Sequence, residues 1–201
     1  MSNSQSLLYG ATYHIYNRGN NGENLFHEQR NYPYFLQLYA RHIERIAETY
    51  AYCLLRNHFH LLVRIRAEGE IDLTGFRKPV RSNTPSQQFS NFFNAYTKSI
   101  NLAYGRTGSL FQRPFGRIQV ETDEYFAQLI HYIHFNPQKH GLVDDFREYP
   151  YSSYSSFCSD KPTRLARDEV LSRFDGKRGF EMAHQSSVDE KRIVELIGED
   201  D

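Results

Sequence analysis

Two histidines, His58 and His60, lie two residues apart at the start of an apolar run that extends to Ile65. Residues i and i+2 of an extended strand point to the same face of a sheet, so the two imidazoles project side by side. Burying them is costly unless they are hydrogen-bonded or bind something, and neutral imidazole is the commonest metal-ligating side chain. The pair is therefore compatible with a metal site, but so short a motif does not establish one by itself. The simpler alternative is two surface histidines on the solvated face of a sheet.

The segment that carries the pair, Tyr50–Ile65, holds two apolar runs separated by Arg56 and Asn57, and it predicts two successive strands. An earlier strand is predicted at Ala11–Asn17, because a cluster of turn-forming residues follows it. His14 lies on this earlier strand and is a minor candidate for the same site.

Helical periodicity and capping residues predict three helices around these strands. Thr84 is a good N-cap with Pro85 behind it, and Gly105 is a good stop for the helix between them. The other two helices and a fourth strand are predicted at Asn31–Thr49, Thr122–Phe135 and Leu110–Glu121. The resulting order of elements is β-α-β-β-α-β followed by a helix, which predicts an α+β, ferredoxin-like antiparallel sheet with the first and third strands in its centre.

The last helix carries polar residues beside its apolar stripe. Tyr125, Tyr132 and Asn136 fall on one flank of that helix, and Asn136-Pro137 is predicted to end or bend it. Residues 8–155 are predicted to form one domain. Residues 156–201 are predicted to form a small helical appendage, with helical patterns at Arg167–Phe174 and Val188–Ile197.

Formal net charge is zero, but the charges are unevenly placed along the chain. No acidic residue occurs in Leu73–Val120, which suits a polyanion, although a solvated basic face is an equal alternative. Cys53 and Cys158 form no disulfide pattern, and no secretory signal or bilayer-spanning run is found, so we expect a cytoplasmic protein without a membrane segment. The basic residues that could bind such a polyanion are Arg77, Lys78, Lys98, Arg106, Arg113 and Arg117.

Several motifs occur together in one order along residues 11–154. They are Y-H-I-Y-N-R-G-N-N, A-Y-C-L-L-R-N-H-F-H-L-L-V, G-R-T-G-S-L-F-Q-R-P-F, Y-I-H-F-N-P-Q-K-H-G-L-V and Y-P-Y-S-S-Y. In these motifs the chain resembles the single-tyrosine transposases of the HUH superfamily, and is most similar to their REP-associated branch.

The resemblance implies an activity and assigns roles to particular residues. Tyr132 would be the nucleophile, and His58, His60 and Asn136 would hold Mg²⁺ or Mn²⁺. The implied substrate is single-stranded DNA next to a hairpin, cut through a 5′-phosphotyrosine. Tyr125 is the second choice of nucleophile, and either a monomer or a homodimer is compatible with the sequence.

Two other functions stay open at this point. One is a binding module for structured DNA or RNA, which keeps the basic segment and does not need Tyr132. The other is a small metal-dependent hydrolase that uses His58 and His60 with water as the nucleophile.

Overall fold

A four-stranded antiparallel sheet, with strand order β2-β3-β1-β4, forms the centre of the protein. The computed structural model describes residues 6–71 and 84–185. The ferredoxin-like order predicted from the sequence is confirmed, with β1 and β3 in the middle of the sheet. The strands are β1 (Thr12–Arg18), β2 (Ala47–Leu54), β3 (His58–Ile65) and β4 (Gly116–Val120).

Six α-helices are found in the described residues, and the first three cover the two faces of the sheet. Alternate residues of β3 face opposite ways, because side chains alternate along a strand. Phe59 and Val63 join a core cluster with α1 and α2, whereas Leu62 joins a second cluster with α3. The helices are α1 (Asn31–Ile43), α2 (Pro85–Tyr104), α3 (Asp123–Lys139), α4 (Tyr154–Phe157), α5 (Arg167–Ser172) and α6 (Lys177–Ala183).

The predicted bounds of α2 are confirmed by its caps. The Thr84 side chain accepts a hydrogen bond from the Gln87 backbone N–H, and Gly105 closes the helix in the left-handed region at φ 62°. The predicted end of α1 is wrong, because the helix stops at Ile43 and the strand begins at Ala47. The intervening backbone is drawn into the sheet, where the Arg66 N–H donates to the carbonyl of Ile46 at 2.9 Å.

The helix α3 begins as predicted, with the Thr122 side chain accepting from the Tyr125 N–H at 3.1 Å. It does not end at Asn136-Pro137 but runs to Lys139 with Pro137 inside it. Proline removes one helical hydrogen bond, but the next ones persist, since the His140 N–H still donates to the Asn136 carbonyl at 3.0 Å. Two further turns of regular spacing therefore follow Tyr132.

The described part of the C-terminal segment packs on the same side of the sheet as α3. Phe157, Val170 and Phe180 belong to the cluster that α3 forms with the sheet. The helix predicted at Arg167–Phe174 is found as α5, α6 was not predicted, and the pattern at Val188–Ile197 lies outside the described residues. No helix in the described ranges is long and apolar enough to cross a membrane.

A chain of buried hydrogen bonds ties this segment to α3. The Tyr52 N–H donates to Ser153 Oγ at 2.9 Å, and Ser153 Oγ contacts His134 Nε2 at 2.8 Å. His134 Nδ1 contacts His184 Nε2 at 2.9 Å, and His184 Nδ1 donates to the Phe180 carbonyl at 2.8 Å. Each contact has one donor and one acceptor if both imidazoles are neutral.

Candidate active site

Three buried histidines line the centre of the sheet on the face covered by α3. His14 Nε2 on β1 and His60 Nδ1 on β3 form a hydrogen bond of 3.0 Å. His58 Nδ1 forms a second hydrogen bond, of 2.8 Å, with Asn57 Oδ1. These contacts use the Nδ1 atoms of His58 and His60, so Nε2 is the nitrogen that each would present to a metal ion. Hydrogen bonding of the second ring nitrogen is the usual way in which a protein orients a ligating histidine.

The electrostatic surroundings keep His60 neutral. Burial lowers the pKa of His60 well below its usual range, and nearby positive charge, first from His58 and then from His140, Lys139 and Arg18, lowers it further. A neutral imidazole is the form that binds metals.

The helix α3 brings Tyr132 and Asn136 to the same place. The Tyr132 and His60 rings lie 5.6 Å apart between centroids at 78°, and the His140 and His58 rings lie 4.9 Å apart at 73°. Residues 132, 136 and 140 follow one another at four-residue spacing and share a side of the helix. Asn136 therefore lies between two residues that contact the histidine pair.

The donor atoms of this group fit a divalent ion. Asn136 is fully buried, its amide N–H donates to the Tyr132 carbonyl at 3.0 Å, and its Oδ1 has no hydrogen-bond partner among the described residues. A buried acceptor of this kind costs about 1–3 kcal/mol, and a bound cation would remove that cost. In residues 6–71 and 84–185 no three His, Cys, Asp or Glu side chains are placed to hold a metal, so a metal here would depend on the Asn136 amide.

The two candidate nucleophiles differ in their neighbours. Tyr132 is fully buried, and the Lys139 ammonium lies 5.0 Å from the centre of its ring. Tyr125 lies two turns earlier on α3, and burial raises its pKa to about 12, with a smaller contribution from Tyr16. Only Tyr132 therefore contacts the histidine pair, whereas Tyr125 lies toward Tyr16 on β1.

The predicted DNA-binding residues are not equivalent in the structure. Arg106 forms an ion pair with Glu23 and donates to Asn101 Oδ1 at 2.7 Å, so part of its charge is already offset. Lys98 and Arg113 are exposed, and their charges are open to solvent. Arg77 and Lys78 lie outside the described residues.

Arg117 and Arg113 border a cavity of about 470 Å³ between α2 and the segment that leads into β4. The Arg117 guanidinium stacks 3.9 Å from the centre of the Phe115 ring and donates to Ser86 Oγ at 3.3 Å. Burial lowers the pKa of Arg117. The cavity has three aromatic walls, Phe93, Phe111 and Phe115, and several small polar side chains.

Three further residues beside the histidine pair were not among the sequence candidates: Arg18, Lys139 and His140. Arg18 pairs with His58 in the β1–β3 register and lies four residues beyond His14, so the period of two in β1 could have identified it. Lys139 and His140 follow Tyr132 by two helical turns, but the predicted helix ended before them. His14, a minor candidate, directly contacts His60.

Comparison with known proteins finds relatives of the kind that the motifs indicated. No protein-family model matches the chain. A Haemophilus influenzae protein described as a REP-associated tyrosine transposase is 30% identical over 107 residues, which are 53% of this chain and 58% of that protein. The chain resembles the REP-associated tyrosine transposases. The matched region spans a little less than six tenths of the length of this curated relative.

The fold agrees with that resemblance. The solved structure of a REP-associated tyrosine transposase bound to a REP hairpin superposes with a TM-score of 0.59, covering 83% of this chain and 92% of the other. Sequence identity in that match is 18%, so it supports the common fold. The resemblance to REP-associated tyrosine transposases and the α+β fold class are both confirmed.

Proposed function

We propose that the protein is a metal-dependent endonuclease and strand transferase that cuts single-stranded DNA near a hairpin through a 5′-phosphotyrosine. The observation that carries this proposal is the contact between Tyr132 on α3 and His60 on β3, with Asn136 one turn further along the helix. A phenol, two imidazoles and an amide oxygen on two packed elements are the groups that this chemistry needs. The relatives in sequence and fold, both tyrosine transposases, support the same proposal.

His58, His60 and Asn136 would hold the ion, for which the resemblance implies Mg²⁺ or Mn²⁺. When bound, such an ion polarises the scissile phosphate and stabilises the leaving 3′ oxygen. The hydrogen bonds of His58 to Asn57 and of His60 to His14 fix the ring orientations in advance.

Tyr132 attacks the phosphorus in this proposal, and the strand is left with a free 3′-hydroxyl. The phosphotyrosine conserves the energy of the broken bond, so a second 3′-hydroxyl can reverse the step and join strands. A free phenol has a pKa near 10, so the positive groups around Tyr132 matter for the charge that develops on its oxygen.

A DNA hairpin is the proposed partner. The solved relative is bound to a REP hairpin. In this chain Lys98 and Arg113 are exposed, and Arg113 and Arg117 border the same cavity. Such cations bind phosphates irrespective of sequence, and affinity should fall steeply with salt. The cytoplasmic location expected from the sequence stays a prediction.

A second candidate function is favoured by the burial of Tyr132. Its side chain is fully covered, so a phosphate reaches the hydroxyl only after the side chains over it move. A protein that binds structured DNA or RNA without cutting it needs no such movement. The same experiment separates the two functions.

The test uses the full chain with Mn²⁺ and end-labelled single-stranded hairpin oligonucleotides. A covalent protein–DNA band on a denaturing gel is expected with wild type and with Tyr125→Phe, and is expected to be absent with Tyr132→Phe. Binding without a band in wild type would favour the binding module. Cleavage that survives Tyr132→Phe would instead indicate a hydrolase that uses water.

A further inference from the structure

The protein has a cation beside the proposed nucleophile to which neither the family resemblance nor the proposed function assigns a role. The Lys139 ammonium lies 5.0 Å from the centre of the Tyr132 ring. Lys139 is the last residue of α3, seven residues after Tyr132, and two helical turns return a side chain to nearly the same direction. Its position is therefore a consequence of α3 continuing through Pro137.

The neighbours of Lys139 do not neutralise it. Within residues 6–71 and 84–185 its side chain makes no hydrogen bond and no ion pair, whereas Arg106, Arg147 and Arg173 are each paired with a carboxylate. The side chain is half-buried rather than fully solvated. A partly desolvated charge without a counter-ion interacts more strongly with an incoming anion than a solvated one does.

The same ammonium also acts on the histidine pair. It is one of the charges that lower the pKa of His60, after burial and the charges of His58 and His140. Lys139 is therefore close to both Tyr132 and His60, the two groups between which a scissile phosphate would have to lie.

We propose that Lys139 binds the scissile phosphate and offsets the negative charge that builds on its non-bridging oxygens while Tyr132 attacks. This inference rests on the proposed function. In the step, a bond forms between the Tyr132 oxygen and phosphorus, and the bond between phosphorus and the 3′ oxygen breaks. The phenol loses its proton to solvent and the leaving oxygen takes one up as a 3′-hydroxyl, so Lys139 contributes charge and exchanges no proton.

A lysine suits this role because it is a compact charge on a flexible stem and can follow the phosphate as it changes geometry. A donor placed where charge develops typically contributes about 10²–10³-fold to a rate when it is removed by mutation. Because the interaction is made with the reacting phosphate, its loss should lower the rate of the chemical step more than the affinity for the whole hairpin.

The experiment compares single-turnover formation of the covalent adduct by wild type, Lys139→Met, Lys139→Arg and the control Lys161→Met. Lys161 is exposed in the C-terminal segment, so Lys161→Met removes the same charge away from the site. We expect Lys139→Met to slow adduct formation about 100-fold, Lys139→Arg to recover most of the rate, and Lys161→Met to match wild type. Hairpin affinity, measured by a shift assay without metal, should change by less than about threefold in all variants.

Two further measurements make the result decisive. Thermal unfolding of each variant shows whether a slow rate reflects a loss of folding, and Lys139→Arg keeps the test valid if Lys139→Met is unstable. If Lys139→Met forms the covalent adduct at the wild-type rate, the proposed role of Lys139 is overturned and the proposed function still stands. A parallel fall in affinity and rate would make Lys139 a general DNA contact and would also overturn it. Absence of any adduct with wild type would overturn both proposals.

Discussion

The hydrogen-bonded pair His134 and His184 predicts how stability depends on pH. His184 is 1% exposed, and burial lowers its pKa to about 3 from an ordinary value of 6.5. The folded protein therefore holds His184 neutral, whereas the unfolded chain protonates it below pH 6.5. Stability from this group is fully present above pH 6.5 and is lost as the pH falls from there toward 3.

The size of the loss follows from the pKa difference. At pH 5 the pH is about 1.5 units below the pKa of His184 in the unfolded chain, while the folded protein still holds His184 neutral. Protonation therefore stabilises the unfolded chain by about 2 kcal/mol, at roughly 1.36 kcal/mol per unit. A His184→Phe variant removes this titration and keeps a ring of similar size beside Phe180. It also leaves His134 Nδ1 without its partner, which should cost about 1–3 kcal/mol at pH 7.5.

The assay is urea unfolding of wild type and His184→Phe at pH 7.5, 6 and 5. Wild type should be the more stable protein at pH 7.5, and its advantage should shrink by about 2 kcal/mol at pH 5. Met182→Ala, on the exposed side of the same helix α6, should keep the wild-type pH dependence. Parallel pH profiles for wild type and His184→Phe would refute the reasoning, because His184 would then titrate alike in the folded and unfolded chains.

Three other predictions concern the site and α3. Asn136→Leu should abolish cleavage, which the adduct assay measures. Its free energy of unfolding in EDTA, measured with urea, should equal or exceed that of wild type, because the substitution removes a buried acceptor that has no hydrogen-bond partner among the described residues. Gly116→Ala should cost about 1–3 kcal/mol and slow cleavage, since the added Cβ would overlap the Tyr16 ring that stacks on His14; a wild-type melting temperature would contradict this. Thr122→Ala should lower stability by about 1 kcal/mol through loss of the α3 N-cap, measured by urea unfolding with Thr122→Ser as the conservative control.

Local signals in the sequence predicted the fold well where they were strong. The cap residues Thr84 and Gly105 set the two ends of α2 through interactions with residues close by in the sequence. Thr122 sets the start of α3 in the same way. The end of α1 was wrong because Ile46 and Ala47 suit both a helix stripe and a buried strand, and sheet pairing with β3 decided between them. Tertiary contact overrides a local preference of this kind.

The candidate site was predictable in part for a related reason. The period of two placed His58 and His60 on one face, and four-residue spacing placed Tyr132 near Asn136, whereas selecting Tyr132 among fifteen tyrosines required the family motif. Lys139 was hidden because a proline two residues earlier predicted the end of the helix. The contact between His134 and His184 could not be predicted, because the two residues are 50 positions apart and local sequence patterns do not show which distant segments pack together.

The two halves of the candidate site, the histidines of β3 and the Tyr132–Asn136 side of α3, are synthesised at different times, because β3 precedes α3 in the chain. The histidine strand β3 leaves the ribosome first, and α2 and β4 must follow before α3 brings Tyr132 onto it. A nascent chain that has exposed only the histidines holds half of the candidate site, and it gains Tyr132 only after β4 has completed the sheet. If the proposed cutting activity is correct, the order of synthesis keeps that activity absent until the central fold is complete.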